Sequence, residues 1–142
     1  MQKYIYSKTF QRTTVVYHFF IKNNSTNKYI SNKNEKYTIL SVRGKISYIE
    51  DFDGCKQKRG EIVEIVSGMF PNAQKLEQIN KYNADPSGNS IFDTVFFVFD
   101  SGDQIDVYCT NIEENFRIKN NSSEGLSVLI GSSEVIRWTH NE

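Results

Sequence analysis

The sequence predicts an α+β domain: a mainly antiparallel β-sheet with one central helix and a short C-terminal helix packed on it. Three observations lead there. Ile91–Phe99 and Gln104–Cys109 are strand-like runs joined by Asp100-Ser-Gly-Asp103. After Asp53 the apolar spacing changes from two residues to a helical three or four. Near the end Leu126, Val128 and Ile130 alternate, then give way to Val135, Ile136 and Trp138 behind a serine pair. At 142 residues the chain is long enough to bury one core and reads as a single domain over 1–142. Ten Phe, eight Tyr and one Trp supply apolar area that disordered chains lack.

Taken in order, Tyr4–Phe10 and Thr13–Lys22 form the first expected strand pair, meeting across Gln11-Arg12. Val15, Tyr17, Phe19 and Ile21 share one face of the second strand. Asn23–Lys28 is a polar loop. Tyr37–Val42 and Ile46–Ile49 are expected to form a hairpin that turns at Arg43-Gly44. The helix carries Cys55, Arg59, Ile62, Val66 and Met69 on one stripe, widened by Val63 and Phe70. Asp53 is its expected N-cap and Pro71 its stop. Gly60 and Gly68 each weaken it by about 1 kcal/mol relative to alanine, so packing must hold it. Gln74–Asn83 reads as a strand ending at an Asp85-Pro-Ser-Gly88 turn. In the hairpin that follows, a Ser101-Gly102 loop would set Val98 opposite Ile105, Phe96 opposite Val107 and Thr94 opposite Cys109. Its first strand, apolar on both faces, belongs inside the sheet, and its second reads as half exposed. Ser132 or Ser133 caps the last helix.

Charge is unevenly placed. Residues 1–60 carry twelve basic against four acidic side chains and residues 61–142 five against thirteen, under a formal net charge of zero. Between Asp85 and Phe116 lie Asp85, Asp93, Asp100, Asp103, Asp106, Glu113 and Glu114, with no lysine or arginine. The plain reading is that Asp100 and Asp103 decorate a turn while Asp93 and Asp106 face solvent on a sheet. The functional reading is a face that meets a basic partner and steers its approach. On that reading the partner-binding residues are Asp85, Asp103, Asp106, Glu113, Glu114 and Phe116. A calcium loop is disfavoured, because Asp100–Asp106 lacks the alternating oxygen ligands and the closing glutamate.

Catalytic chemistry finds no footing. His18 sits in an aromatic strand and His140 near the end, so a shared metal or acid–base site is not expected. The chain shows no Gly-x-Ser-x-Gly elbow, phosphate-binding loop or dinucleotide fingerprint. Cys55 and Cys109 are too few and too far apart in sequence for a disulfide framework or a thiolate metal site. They read as separate buried thiols on two apolar faces. No cofactor, metal or enzymatic activity is expected. The basic first part, with Tyr4, Tyr6, Tyr17 and Tyr29 among lysines, suggests single-stranded nucleic acid only weakly. Its cations are scattered and the pI is near neutral, so direct nucleic-acid binding is not expected. The N-terminus lacks an apolar signal core, and no stretch approaches the ~20 apolar residues that span a bilayer. A cytoplasmic, reduced protein without membrane contact is the expectation.

Two stretches carry a resemblance. Asn27-Lys-Tyr-Ile-Ser31 with Leu40-Ser-Val-Arg-Gly-Lys-Ile46, and Cys55-Lys-Gln-Lys58 running through the helix to Met69-Phe-Pro-Asn-Ala73, are joined by the Gln104–Cys109 strand and Trp138. Together they resemble immunity proteins of bacterial contact-dependent growth inhibition, in the subgroup that neutralises nuclease toxin domains. The resemblance implies a non-enzymatic cytoplasmic protein whose partner is the C-terminal domain of a cognate toxin. It also implies docking by extension of a sheet edge, with side-chain pockets for specificity. An acidic surface would complement a basic nuclease. The alternative from the residues alone is a small-molecule or peptide-binding α+β regulatory domain.

Overall fold

Seven strands form one antiparallel sheet in a computed structural model that describes residues 3–9, 15–23 and 37–140. The strands are β1 Lys3–Thr9, β2 Val15–Asn23, β3 Tyr37–Ser47, β4 Gln74–Lys81, β5 Ile91–Val98, β6 Gln104–Asn111 and β7 Gly125–Gly131. The helices are α1 Phe52–Met69, α2 Glu114–Asn120 and α3 Ser133–His140. Across the sheet the order is β1-β2-β3-β7-β6-β5-β4. After β3 the chain crosses one face as α1, enters the far edge as β4 and returns through β5 and β6. It then passes through α2, and β7 slots between β6 and β3. The α+β expectation therefore stands, and β4 and β1 are the two edges.

One face is covered by α1 and holds the core. Cys55, Val63 and Val66 pack on Val95, Phe97, Ile105, Val107, Cys109 and Leu126. The α1 N-cap is Asp51, whose Oδ1 accepts the Gly54 N–H at 2.9 Å; Asp53 lies in the first turn instead. Pro71 follows the helix end as expected. Gly125, at φ +154°, lies so close to β3 that a Cβ there would fall 2.1 Å from the Ile46 carbonyl oxygen. Only glycine allows that pairing.

Four local expectations are corrected. Arg43-Gly44 is not a turn, because β3 runs unbroken from Tyr37 to Ser47 with ladder partners on both sides. A Cβ at Gly44 would meet the Tyr17 ring at 3.6 Å, an ordinary contact, so the strand passes through this position without requiring glycine. The β5–β6 loop spans Phe99–Asp103, so Val98 pairs with Gln104 and Phe97 with Ile105. That one-residue slip exchanges the faces of β5, and Val95 and Phe97, not Thr94 and Phe96, join the core. β6, read as half exposed, lies between β5 and β7 and is largely buried. Finally, Cys55 and Cys109 are bonded to each other, joining α1 to β6. The helix stripe and strand face were legible, but their juxtaposition across 54 residues was not.

Candidate partner-binding surfaces

The structure disperses the acidic segment. Asp85 is buried, and its carboxylate accepts the Ser87 N–H and Oγ–H at 2.9 and 2.8 Å and the Ser90 N–H and Oγ–H at 3.0 and 2.7 Å. The Ser90 hydroxyl foremost, opposed by burial and helped by the Ser87 bonds, holds its pKa down at about 2. Asp93 faces α1 and pairs with Arg59, both side chains being about 15% exposed. Asp103 Oδ1 accepts the Ser133 N–H at 2.7 Å at the start of α3, the leading reason its carboxyl lies below the usual range. Asp106 is buried on the sheet face away from α1 and accepts the Gln104 amide at 2.7 Å. The expectation that Asp93 and Asp106 face solvent is thus overturned. Glu113 caps α2 through the Phe116 N–H at 2.8 Å, and that bond leads in lowering its pKa. Glu114 is exposed in the first turn of α2.

These six residues do not share one surface. Asp85, Glu113 and Phe116 line a cleft of about 410 Å³ with Ala84, Ser87 and Lys119, and Glu114 lies beside it. Asp103 sits at the opposite end of β5 and β6, about 20–25 Å away at the usual strand rise. Asp106 lies between the two ends.

The cleft adjoins the edge strand β4. Tyr82, just past β4, meets Phe116 and Phe92 edge-on at 5.7 and 5.2 Å between ring centroids. The strand and the wall of the cleft are therefore one continuous border. All eight β4 residues are exposed, including Leu76 at 46% and Ile79 at 66%. Among the described residues no strand pairs with its outer side. Gln74–Asn83 was read as a strand, but not as an edge. Its alternation of Lys75, Glu77 and Lys81 with apolar residues was the available signal, since charged side chains protect exposed edges.

Several groups escaped the sequence reading. Glu124 is 3% exposed and gathers three segments. Its carboxylate accepts the Glu50 N–H and, at 2.9 Å, the Ile112 N–H, and it faces Arg117 of α2. Glu50, at φ +58°, is held in the left-handed region there and also takes Arg117 at 2.7 Å. On the sheet face away from α1, His18, Arg43 and Lys45 lie together. Arg43 Nη1 donates to the Tyr108 hydroxyl at 3.5 Å, and Lys45 donates to the Ser123 carbonyl and hydroxyl at 2.8 and 2.7 Å. Burial first, then Arg43 and Lys45, hold the His18 pKa below its ordinary value.

Among the described residues no group of His, Cys, Asp or Glu is placed to hold a metal ion. No helix among them is long and apolar enough to cross a membrane. No protein family, characterised protein or solved structure matches this chain.

Proposed function

We propose that this protein is a non-enzymatic immunity protein that captures a toxin domain, a nuclease by the resemblance above, in a contact-dependent growth inhibition system. The observation that carries the reading is β4: an edge strand exposed along its whole length, with apolar Leu76 and Ile79 on opposite faces. Main-chain groups on such an edge hydrogen-bond an added strand, and Leu76 and Ile79 supply contacts above and below it. At the end of β4, Glu113 and Glu114 present carboxylates beside Phe116, with Asp85 buried behind them. A basic partner lying along the edge meets negative charge there. Asp106 is buried and Asp103 is bonded to Ser133 at the start of α3, so neither adds to that charge.

The reading places the protein in the cytoplasm, and the Cys55–Cys109 disulfide weighs against that compartment, because disulfides persist mainly in oxidising ones. The cleft beside α2 is of the size that small-ligand sites take, which keeps a small-molecule or peptide-binding regulatory domain as the second reading. Its lining combines Asp85, Glu113 and Lys119 with the apolar surfaces of Ala84, Pro86 and Phe116.

The test is co-purification with the product of the adjacent open reading frame, with protection of cells that express it. Ile79→Lys and Leu76→Lys should abolish capture while leaving the melting temperature nearly unchanged, as exposed substitutions do. Glu114→Lys should slow association without abolishing the complex. Full protection by the Leu76→Lys, Ile79→Lys double variant would remove β4 from the mechanism.

A further inference from the structure

We propose that Arg43 and Lys45, with His18 and the Tyr108 hydroxyl, form a binding site for a phosphate-class oxyanion on the sheet face away from α1. The residues are assembled by register. Cys109 marks the α1 side through its bond to Cys55, and strand alternation then puts His18, Arg43, Lys45 and Tyr108 on the other. His18 is the direct cross-strand partner of Arg43, and Lys45 follows Arg43 two residues along the same face.

Such a grouping is unfavourable by itself, because the Arg43 and Lys45 cations, two residues apart on one face of β3, repel each other. The field is strong enough that Arg43 also lowers the Lys45 pKa, behind burial as the leading cause. Among the described residues no carboxylate forms an ion pair with Arg43 or Lys45. Glu124 favours the Lys45 charge from a distance but is committed to Glu50, Ile112 and Arg117. Asp106 lies in the same cross-strand row as Arg43, with Leu129 between them, and takes the Gln104 amide. A charge-balancing group from outside would relieve the repulsion.

The donor chemistry defines that group. The Arg43 guanidinium makes one long hydrogen bond, to Tyr108, and keeps the rest of its fork. Lys45 spends its contacts on Ser123 and retains a donor. The Tyr108 hydroxyl accepts from Arg43 and has its own hydrogen to give. Donors of this kind suit a multiply charged oxygen acid, and a guanidinium fork suits a phosphoryl group. Two cations on one strand favour the more highly charged pyrophosphate over phosphate. Tyr17, by contrast, lies on the α1 side, so the tyrosine-and-lysine stacking platform weighed from the sequence does not assemble around this pair.

The full chain would be titrated calorimetrically, at constant ionic strength, with inorganic phosphate, pyrophosphate and a single-stranded oligonucleotide. Pyrophosphate should bind saturably and more tightly than phosphate. Arg43→Gln and Lys45→Gln should each weaken it about tenfold or more, the loss expected for a charge-assisted hydrogen bond. Lys58→Gln, on α1 at the opposite face of the sheet, should bind as the parent does. Oligonucleotide binding that depends on Arg43 would identify a polymeric source of the same phosphate chemistry, and its absence beside pyrophosphate binding a small one. The proposal is overturned if neither phosphate nor pyrophosphate saturates, or if a natively folded Arg43→Gln protein binds as the parent does. Should Arg43→Gln fail to fold, parent-like binding by Lys45→Gln overturns the proposal in its place, and weakened binding supports it.

Discussion

Replacing both bonded cysteines, Cys55→Ala with Cys109→Ala, isolates the link between helix and sheet. The bridge closes a loop with a sequence separation of 54, and the loss of that restraint on the unfolded chain corresponds to about 4 kcal/mol at room temperature. Both cysteines are fully buried, so the truncation also removes core contacts and adds to the cost. For a domain of this size 4 kcal/mol corresponds to roughly a 10 °C fall in melting temperature. It is also a large share of the ~5–15 kcal/mol that holds a typical domain together. The parent, refolded in a glutathione redox buffer, would be melted with and without a strong reductant and compared with the double variant. Because solvent does not reach the sulfurs, native protein should resist the reductant until it opens, and the reduced parent should then melt close to the variant. Thiol alkylation in denaturant without prior reduction reads the bond directly by mass. Two alkylated cysteines in the refolded parent, or a variant melting within about 2 °C of it, would refute the reasoning.

Glu124→Ala should cost about 3–5 kcal/mol in urea unfolding, because it leaves Arg117 and two backbone N–H groups without their buried partner. Phe97→Ala should cost a similar amount, about 3–5 kcal/mol, while Leu76→Ala on the exposed edge should change stability little; a larger loss for Phe96→Ala than for Phe97→Ala would restore the register expected from a Ser101-Gly102 loop. Asp85, held at about 2 against an ordinary 3.8, contributes stability that is present above its ordinary value and is lost as pH falls from near 4 toward 2. Ser90→Ala removes the leading hydrogen bond, so the Asp85 titration followed by NMR should move upward and the acid unfolding midpoint should rise with it; an unmoved titration would dismiss the serine cradle.

Much of this fold could be read along the chain. Alternation in Val15–Ile21, Leu126–Ile130 and the two-faced run Ile91–Phe99 encodes strands, because side-chain period is a local property of the backbone. The stripe from Cys55 to Phe70 encodes the helix for the same reason. Arg43-Gly44 misled, since a glycine beside a polar residue signals a turn locally, whereas here β3 runs through both residues with ladder partners on each side. The hairpin register slipped because Ser101-Gly102 satisfies a short loop on its own, while the longer Phe99–Asp103 loop is chosen by which face of β5 must meet α1. Glu113-Glu114 gave an acidic signal, and only the fold shows that the first of them caps α2.

The sequence by itself determined the class and most of the elements, α2 and the unbroken β3 excepted, because these follow from spacing within a few residues. The tertiary structure alone decided which distant groups meet. Cys55 meets Cys109 and Arg117 faces Glu124; Arg59 neutralises Asp93, and hydrogen bonds take up Asp85, Asp103, Asp106 and Glu113, so an acidic run without cations in sequence is largely satisfied in space. It also decided that β4 is an edge and that Arg43 and Lys45 share a face with His18. Those outcomes depend on strand order and register, which are set by contacts between segments far apart in the chain and leave no periodic trace in it.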